Sequence, residues 1–347
     1  MKPEQWQVFK QAARLEKTDS IPLALIIDSP WIPGYLGIKH MNYYLDPQLW
    51  FESNKKIHKE FPDIIFIPSW WMEYGMAAEP SVLGAKIKFW ENNTPSEVEN
   101  LHSLDDLDKI STYDIKTDGF AALTLHRMKM HKQQIFELGH TLPIVTARGP
   151  LCTAGFVRGA ANLMMDLVMT PEQTHKLLEL STNVVIDWLK AQAEVIGDTV
   201  EGIFVLDDIV GFVGEEDYLQ FAHPYLKRIC DAFPKDWIKI YHNDADVDNC
   251  LKHLPDTGFN VLNWGKQTKI SEVKKTVGDR MCLMGNVNPL EIGVQGTPND
   301  VYNATLDVLE ESGGEGIILS LGGGVSPGMP GENIRAMQKA LEKFNSY

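Results

Sequence analysis

Residues 237–244 read WIKIYHND. Apart from Lys239 the run is apolar without alternation, as expected of a parallel strand covered on both faces. It ends abruptly in His242, Asn243 and Asp244, and Asp246 and Asp248 follow closely. Seven further runs share this character: IPLALIID (21–28), DIIFIPS (63–69), LPIVTARG (142–149), EGIFVLDD (201–208), FNVLNWG (259–265), RMCLMGN (280–286) and GIILSLGG (316–323). Helical periods separate most of them, including the long stretch through 162–194 with a helix start at Pro171, EEDYLQFAHPYLKRICDAF, VDNCLKHL, TKISEVKKTVG and PNDVYNATLDVLEESG. Eight strands alternating with helices predict an α/β fold, a (β/α)8 TIM barrel, over an open doubly wound sheet. An N-terminal extension precedes the first strand. An excursion between strands two and three, 75–140, carries a two-stranded element around VLGAKIKFW. No linker divides the chain, so residues 1–347 are read as one barrel domain.

Composition narrows the function. Thirty-two basic against 47 acidic residues give a net charge of −15, which leaves no basic face for nucleic acid. The densest basic stretch, HRMKMHKQQ from His126, reads as a solvated helix face. The first residues, MKPEQWQVFKQAARLEK, lack the apolar core of a signal peptide, and no run approaches the roughly 20 residues needed to span a bilayer. Cys152, Cys230, Cys250 and Cys282 are widely spaced, with no CxxC pair, as in reduced cytoplasmic thiols. The expectation is a cytoplasmic protein without membrane or nucleic-acid partners.

In a parallel barrel the chemistry gathers at the carboxyl ends of the strands. Those ends carry Asp28; Ser69, Trp70, Trp71, Glu73 and Tyr74; Arg148 and Gly149; Asp207 and Asp208; His242, Asn243 and Asp244; Asn263 and Trp264; Asn286 and Asn288; and Ser320 with Gly322–Gly324. Ionisable groups there are costly to bury unless paired or on a metal. His242, Asp244, Asp207 and Asp208 are therefore candidate metal ligands, with Asp28 or Glu73 nearby. One imidazole with carboxylates suits Zn²⁺ at about 2.0–2.2 Å per ligand. Plainer readings stand beside this one. Asp207 or Asp208 caps the following helix, Asp244 is the N-cap of ADVDNCLKHL, Asp246 and Asp248 favour that helix's positive end, and His242 is a hydrogen-bonded core residue. The triple glycine lacks the context of a phosphate loop and reads as backbone room beside a ligand. Trp31, Tyr35, Tyr43, Tyr44, Trp70, Trp71 and Tyr74 read as core and lid packing, or as a flat apolar pocket for a ring.

Four segments, PIVTARGPLCTAGFVRG (143–159), HPYLKRI (223–229), MGNVNPLEI (284–292) and ILSLGGGVSPGMPGENIRAM (318–337), resemble the uroporphyrinogen decarboxylase superfamily over nearly the full length. The resemblance implies the same barrel, and either a tetrapyrrole decarboxylase or a corrinoid-linked methyltransferase. The decarboxylases carry an arginine-rich stretch where this chain has DSPWIPGYLG, and a histidine where it has Gly323. The thiol-methylating branch places zinc on His-x-Cys and a second Cys; here these positions hold His242-Asn243-Asp244 and Gly323. Oxygen in place of thiolate leaves a harder, more Lewis-acidic centre, suited to polarising an ether oxygen.

The resemblance thus implies a zinc-dependent O-demethylase methyltransferase. It moves a methyl group from a small methyl donor, a methoxylated aromatic, to the Co(I) corrinoid (cobalamin) of a partner corrinoid protein. His242 and Asp207 are its expected catalytic residues, and Trp70, Trp71, Tyr74, Arg148, Tyr241 and Asn286 its expected substrate contacts. A homodimer is compatible with the resemblance. The alternatives are a methylamine or betaine-type donor, a uroporphyrinogen decarboxylase, and a barrel that only binds.

Overall fold

The computed structural model describes residues 1–27 and 30–346. The barrel strands are β1 (Ala24–Ile26), β2 (Ile65–Ile67), β3 (Ile144–Arg148), β4 (Gly202–Leu206), β5 (Ile238–Asn243), β6 (Val261–Trp264), β7 (Cys282–Val287) and β8 (Ile317–Leu321). Seven fall within the apolar runs, and β7 overruns its run by one residue, Val287. Strands β3 to β8 form one parallel sheet in sequence order, β1 pairs with β2, and bridges from Leu23 to Leu319 and Ile26 to Gly324 close β1 onto β8. This is the expected (β/α)8 barrel.

One seam interrupts it. No ladder joins β2 to β3 among the described residues, because the excursion leaves between them. Side chains satisfy the exposed edge of β3 instead. Gln192, on the helix Pro171–Ile196, donates to Thr146 O at 2.8 Å and accepts from Thr146 N at 3.3 Å, and Glu79 accepts from Arg148 N at 2.6 Å. Buried backbone groups are thereby paired without a neighbouring strand. The excursion does hold the expected two-stranded element, an antiparallel hairpin of Lys86–Lys88 and Ser96–Val98.

Period-two alternation sorts the strand residues. Ala24, Ile26, Ile65, Ile67, Ile144, Phe204, Leu206, Ile238, Ile240, Val261, Cys282, Met284 and Ile318 fill the barrel interior. Their neighbours, including Val145, Ala147, Val205 and Tyr241, pack outward under the helices. The N-terminal extension is the helix Pro3–Ala13, whose Trp6 and Phe9 join the interior cluster. Trp6 lies against Gly202, at the start of β4, so this helix plugs the amino end and leaves chemistry to the other.

Three local expectations are corrected. VDNCLKHL is not a regular helix but a series of turns ending in a short tight helix, Leu254–Thr257. Its amides are taken by side chains: Asn243 accepts from Ala245 N at 2.9 Å, and Asp246 from Asp248 N at 3.0 Å, which is turn chemistry. Asp244, Asp246 and Asp248 therefore serve no helix start there. In the basic stretch from His126, Arg127 and His131 are buried, and Arg127 donates to Tyr74 Oη at 2.8 Å and to Tyr44 O.

Trp70 belongs to the helix layer too. It stacks on Phe51 and His58 with centroids 5.3 and 4.8 Å away, and its indole donates to His140 Nδ1 at 2.9 Å. Burial, together with the Met1 amino group and His140, holds the His58 imidazole well below its ordinary value. Burial first, then the Met1 amino group, lowers His140 from 6.5 to about 4. The unfolded chain thus binds more protons than the folded one below pH 6.5. The share of stability owed to these two imidazoles is complete above that value and is lost as pH falls from 6.5 toward 4. Thermal melts from pH 7 to 5 read it, and His58→Phe, which keeps the stack, should flatten the curve. An unchanged slope would remove His58 from this account.

Candidate metal centre at the barrel mouth

His242 follows Ile238 and Ile240 on the inward face of β5 and is 4% exposed. Its Nδ1 lies 2.7 Å from Asn263 Oδ1, on the register partner residue in β6. The Asn263 amide nitrogen donates to Met284 O at 2.6 Å and Leu321 O at 3.0 Å. With both its hydrogens committed, Asn263 offers His242 only an acceptor. Nδ1 therefore carries the hydrogen, and Nε2 faces the mouth with its lone pair. That Nε2 is 3.5 Å from Asp208 Oδ1. Asp244 completes the group: one ligand atom from each of Asp208, His242 and Asp244 lies within 4.8 Å of the others.

Two carboxylates and an imidazole lone pair aimed at one point repel each other. Burial, and then the neighbouring Asp208, pushes the Asp244 carboxyl above its ordinary value. A divalent cation relieves this arrangement, and one nitrogen with carboxylate oxygens is a donor set that Zn²⁺ accepts. An acceptor that fixes the ring through its other nitrogen is the usual support for a metal-bound histidine. The β8 loop passes close by: a Cβ at Gly323, whose φ is +124°, would sit 3.6 Å from Asp244 Oδ2.

Asp207 stands apart from the group. Leu206 faces inward, so Asp207 faces outward, and it is fully buried. Its Oδ1 accepts from Cys152 N at 2.7 Å and its Oδ2 from Leu151 N at 3.2 Å. It thus caps the helix Pro150–Arg158 after β3, not the element that follows it in sequence. Burial pushes its carboxyl up to about 7, opposed by the amides and thiol of this helix start. The approach requires Gly149, where a Cβ would come within 2.3 Å of the Asp207 carboxyl carbon. The expectation that Asp207 is a ligand and catalytic group is corrected on this geometry.

The expected substrate contacts divide as well. Arg148 ends β3 on the inward face, 3.7 Å from Glu73 and 5.5 Å over the ring of Trp71. Trp71 packs against Phe204 at 6.1 Å, and Phe204 edges His242 at 6.1 Å, so a wall of rings leads from the seam to the histidine. Tyr74, by contrast, stacks on Tyr44 at 6.1 Å and accepts from Arg127 in the outer layer. Tyr241 packs outward on Phe259, its hydroxyl donating to Asp207 O at 3.4 Å. Asn286 donates to Gly265 O and Thr268 O, both at 3.1 Å, and pins the loop after β6. Asp28 lies outside the described residues. Sequence reasoning missed the roles of Asn263 and Phe204. The signal for Asn263 was its place: a lone amide at the inward position of an apolar run, one strand beyond His242.

Comparison with known proteins adds an independent line. The family described as Uroporphyrinogen decarboxylase (URO-D) matches residues 7–344. A methylcobamide:CoM methyltransferase, MtbA, of Methanosarcina mazei is 27% identical over 280 residues, covering 78% of each chain. A uroporphyrinogen decarboxylase of Chloroherpeton thalassium is 25% identical over 347 residues, covering 95% of each. A solved methyltransferase structure from Methanosarcina mazei shares the fold, with a TM-score of 0.84 at 18% identity over 98% of both chains. No helix among the described residues is long and apolar enough to cross a membrane.

Proposed function

Because the chain belongs to the uroporphyrinogen decarboxylase family, we propose that its barrel mouth is the active site of a zinc-dependent methyltransferase. It takes the methyl group of a small methoxylated aromatic and delivers it to the Co(I) corrinoid of a partner protein. The observation that carries this reading is the oxygen-rich ligand group Asp208, His242 and Asp244, with His242 held in one tautomer by Asn263. The four cysteines are buried and none joins that group, so a thiolate-rich centre has no support among the described residues.

Asp208, Asp244 and His242 Nε2 would hold the ion. Bound there, zinc supplies Lewis acidity that stabilises negative charge on an ether oxygen as its bond to the methyl carbon breaks. The chain does the rest. Asn263 keeps Nε2 directed at the mouth, and Asp207 fixes the start of the helix behind Arg148. Trp71 and Phe204 offer flat apolar faces against which a ring can lie with its oxygen toward His242.

Similarity alone does not separate methyltransferase from decarboxylase, since relatives of both names match at comparable identity. The mouth favours the former. Arg148 is engaged by Glu73 and Glu79, and the loop after β1 brings no arginine for a polycarboxylated substrate. The same acidity favours a second reading, in which the donor is a methylated amine cation and aromatics and carboxylates bind it without metal. A chelator separates the two. Zinc removal should abolish ether demethylation in the presence of reduced corrinoid protein and be reversed by added zinc, whereas an amine reaction would survive. Demethylation that is indifferent to chelator would sink the zinc reading.

A further inference from the structure

The arginine at the mouth is surrounded by acids. Arg148 is half-buried, with its guanidinium 3.7 Å from Glu73, and the charge of Asp208 acts on it from the metal group. Glu79, 4% exposed, takes its backbone amide. Glu97, brought in by the hairpin of the excursion, also lies within range of the Arg148 charge, and its Oε2 is buried with no hydrogen-bond partner. On the opposite side stand Asp208 and Asp244. Even with a divalent ion at His242, Asp208 and Asp244 offset its charge, and Glu73, Glu79 and Glu97 outnumber Arg148, so the lining stays net negative. An incoming carboxylate would have to leave water for a lining of its own sign, which is costly.

We propose that the mouth selects methyl donors that carry no negative charge, and that Glu73, by holding Arg148, is the residue that sets this selectivity. The inference rests on the reading of the mouth as the methyl-donor site, and it deepens that reading from donor to donor charge class. Glu73 is a specificity residue and takes no part in methyl transfer. It makes Arg148 a wall, stacked on Trp71, instead of an anchor for an anion.

The test is binding, measured by calorimetry on zinc-supplied protein with methoxybenzene and with its para-carboxylate analogue. The wild type should bind the neutral ring at least tenfold tighter. Glu73→Gln should tighten the carboxylate by roughly tenfold to a hundredfold, the scale of one unpaired charge at a part-buried site. It should leave the neutral ring within about threefold. Glu97→Gln repeats the test in the same direction from the hairpin, and the wild-type ratio stands whether or not either variant folds. Equal or tighter carboxylate binding by the wild type, a ratio unmoved in Glu73→Gln, or no binding of either ring would overturn the inference. Turnover is scored separately. A protein that prefers the neutral ring yet demethylates no ether keeps the charge rule and loses the methyltransferase reading.

Discussion

His242→Ala is expected to fold, to lose its zinc, and to transfer methyl groups roughly 100–1,000-fold more slowly than the wild type, the scale of removing a preorganised electrostatic stabiliser. The substitution removes the only nitrogen ligand of the group and leaves Asp208 and Asp244 as a pair of like charges at the mouth. It creates no cavity against the outer helices, because the imidazole faces the open end of the barrel above Ile240. Elemental analysis of protein purified without chelator reads the effect directly: about one zinc per chain in the wild type and almost none in the variant. Asn263→Ala gives the graded version. The ring loses the acceptor that fixes its tautomer, and zinc affinity should fall by roughly 10–100-fold, the usual cost of losing such support. Saturating zinc should then restore much of the rate. Wild-type protein without metal, or His242→Ala that retains it, would return His242 to the role of a hydrogen-bonded core histidine.

The barrel was readable because its strands announce themselves. Runs such as GIFVL and WIKIY are apolar on both faces, and only a parallel sheet under helices demands that. The position of His242 was readable for the same reason, as the first polar inward residue after Ile238 and Ile240. What could not be read was which way each neighbouring side chain turns. Asp207 and Asp208 differ by one position, and one position is the whole difference between the helix layer and the mouth. At the end of β2 even alternation fails. Ser69 and Trp70 have positive φ, 81° and 50°, so the backbone turns sharply there. Trp70 goes outward to His58 and Trp71 goes in beside Arg148. The density of aromatics near the first two strand ends therefore said little about the pocket. Tyr43, Tyr44 and Tyr74 assemble around Arg127, a residue that reads as solvent-facing in sequence because its partners lie 53 to 83 positions away. Glu79 and Gln192 could not have been assigned at all, since their task exists only because β2 and β3 fail to pair.

Asp207→Ala and Asp208→Ala should behave as opposites, and the contrast tests the whole arrangement of the mouth. Asp207 is fully buried and accepts from two backbone amides at the start of the helix Pro150–Arg158. Its removal takes the cap from this helix, leaving the Leu151 and Cys152 N–H groups buried without partners, at about 1–3 kcal/mol each. A destabilisation of roughly 3–4 kcal/mol is expected, visible as a lower melting temperature and denaturant midpoint, with zinc content per folded chain unchanged. Asp208 is half-buried, and its carboxylate points at His242 Nε2 and the Asp244 backbone. Its removal relieves a like-charge contact, so stability should change by less than about 1 kcal/mol while zinc affinity collapses. Melting curves and metal analysis on the same two preparations decide the matter. If Asp207→Ala lost zinc and kept its stability, the register at the end of β4 would be shifted by one residue, Asp207 would point into the barrel, and the ligand group would have to be redrawn around it.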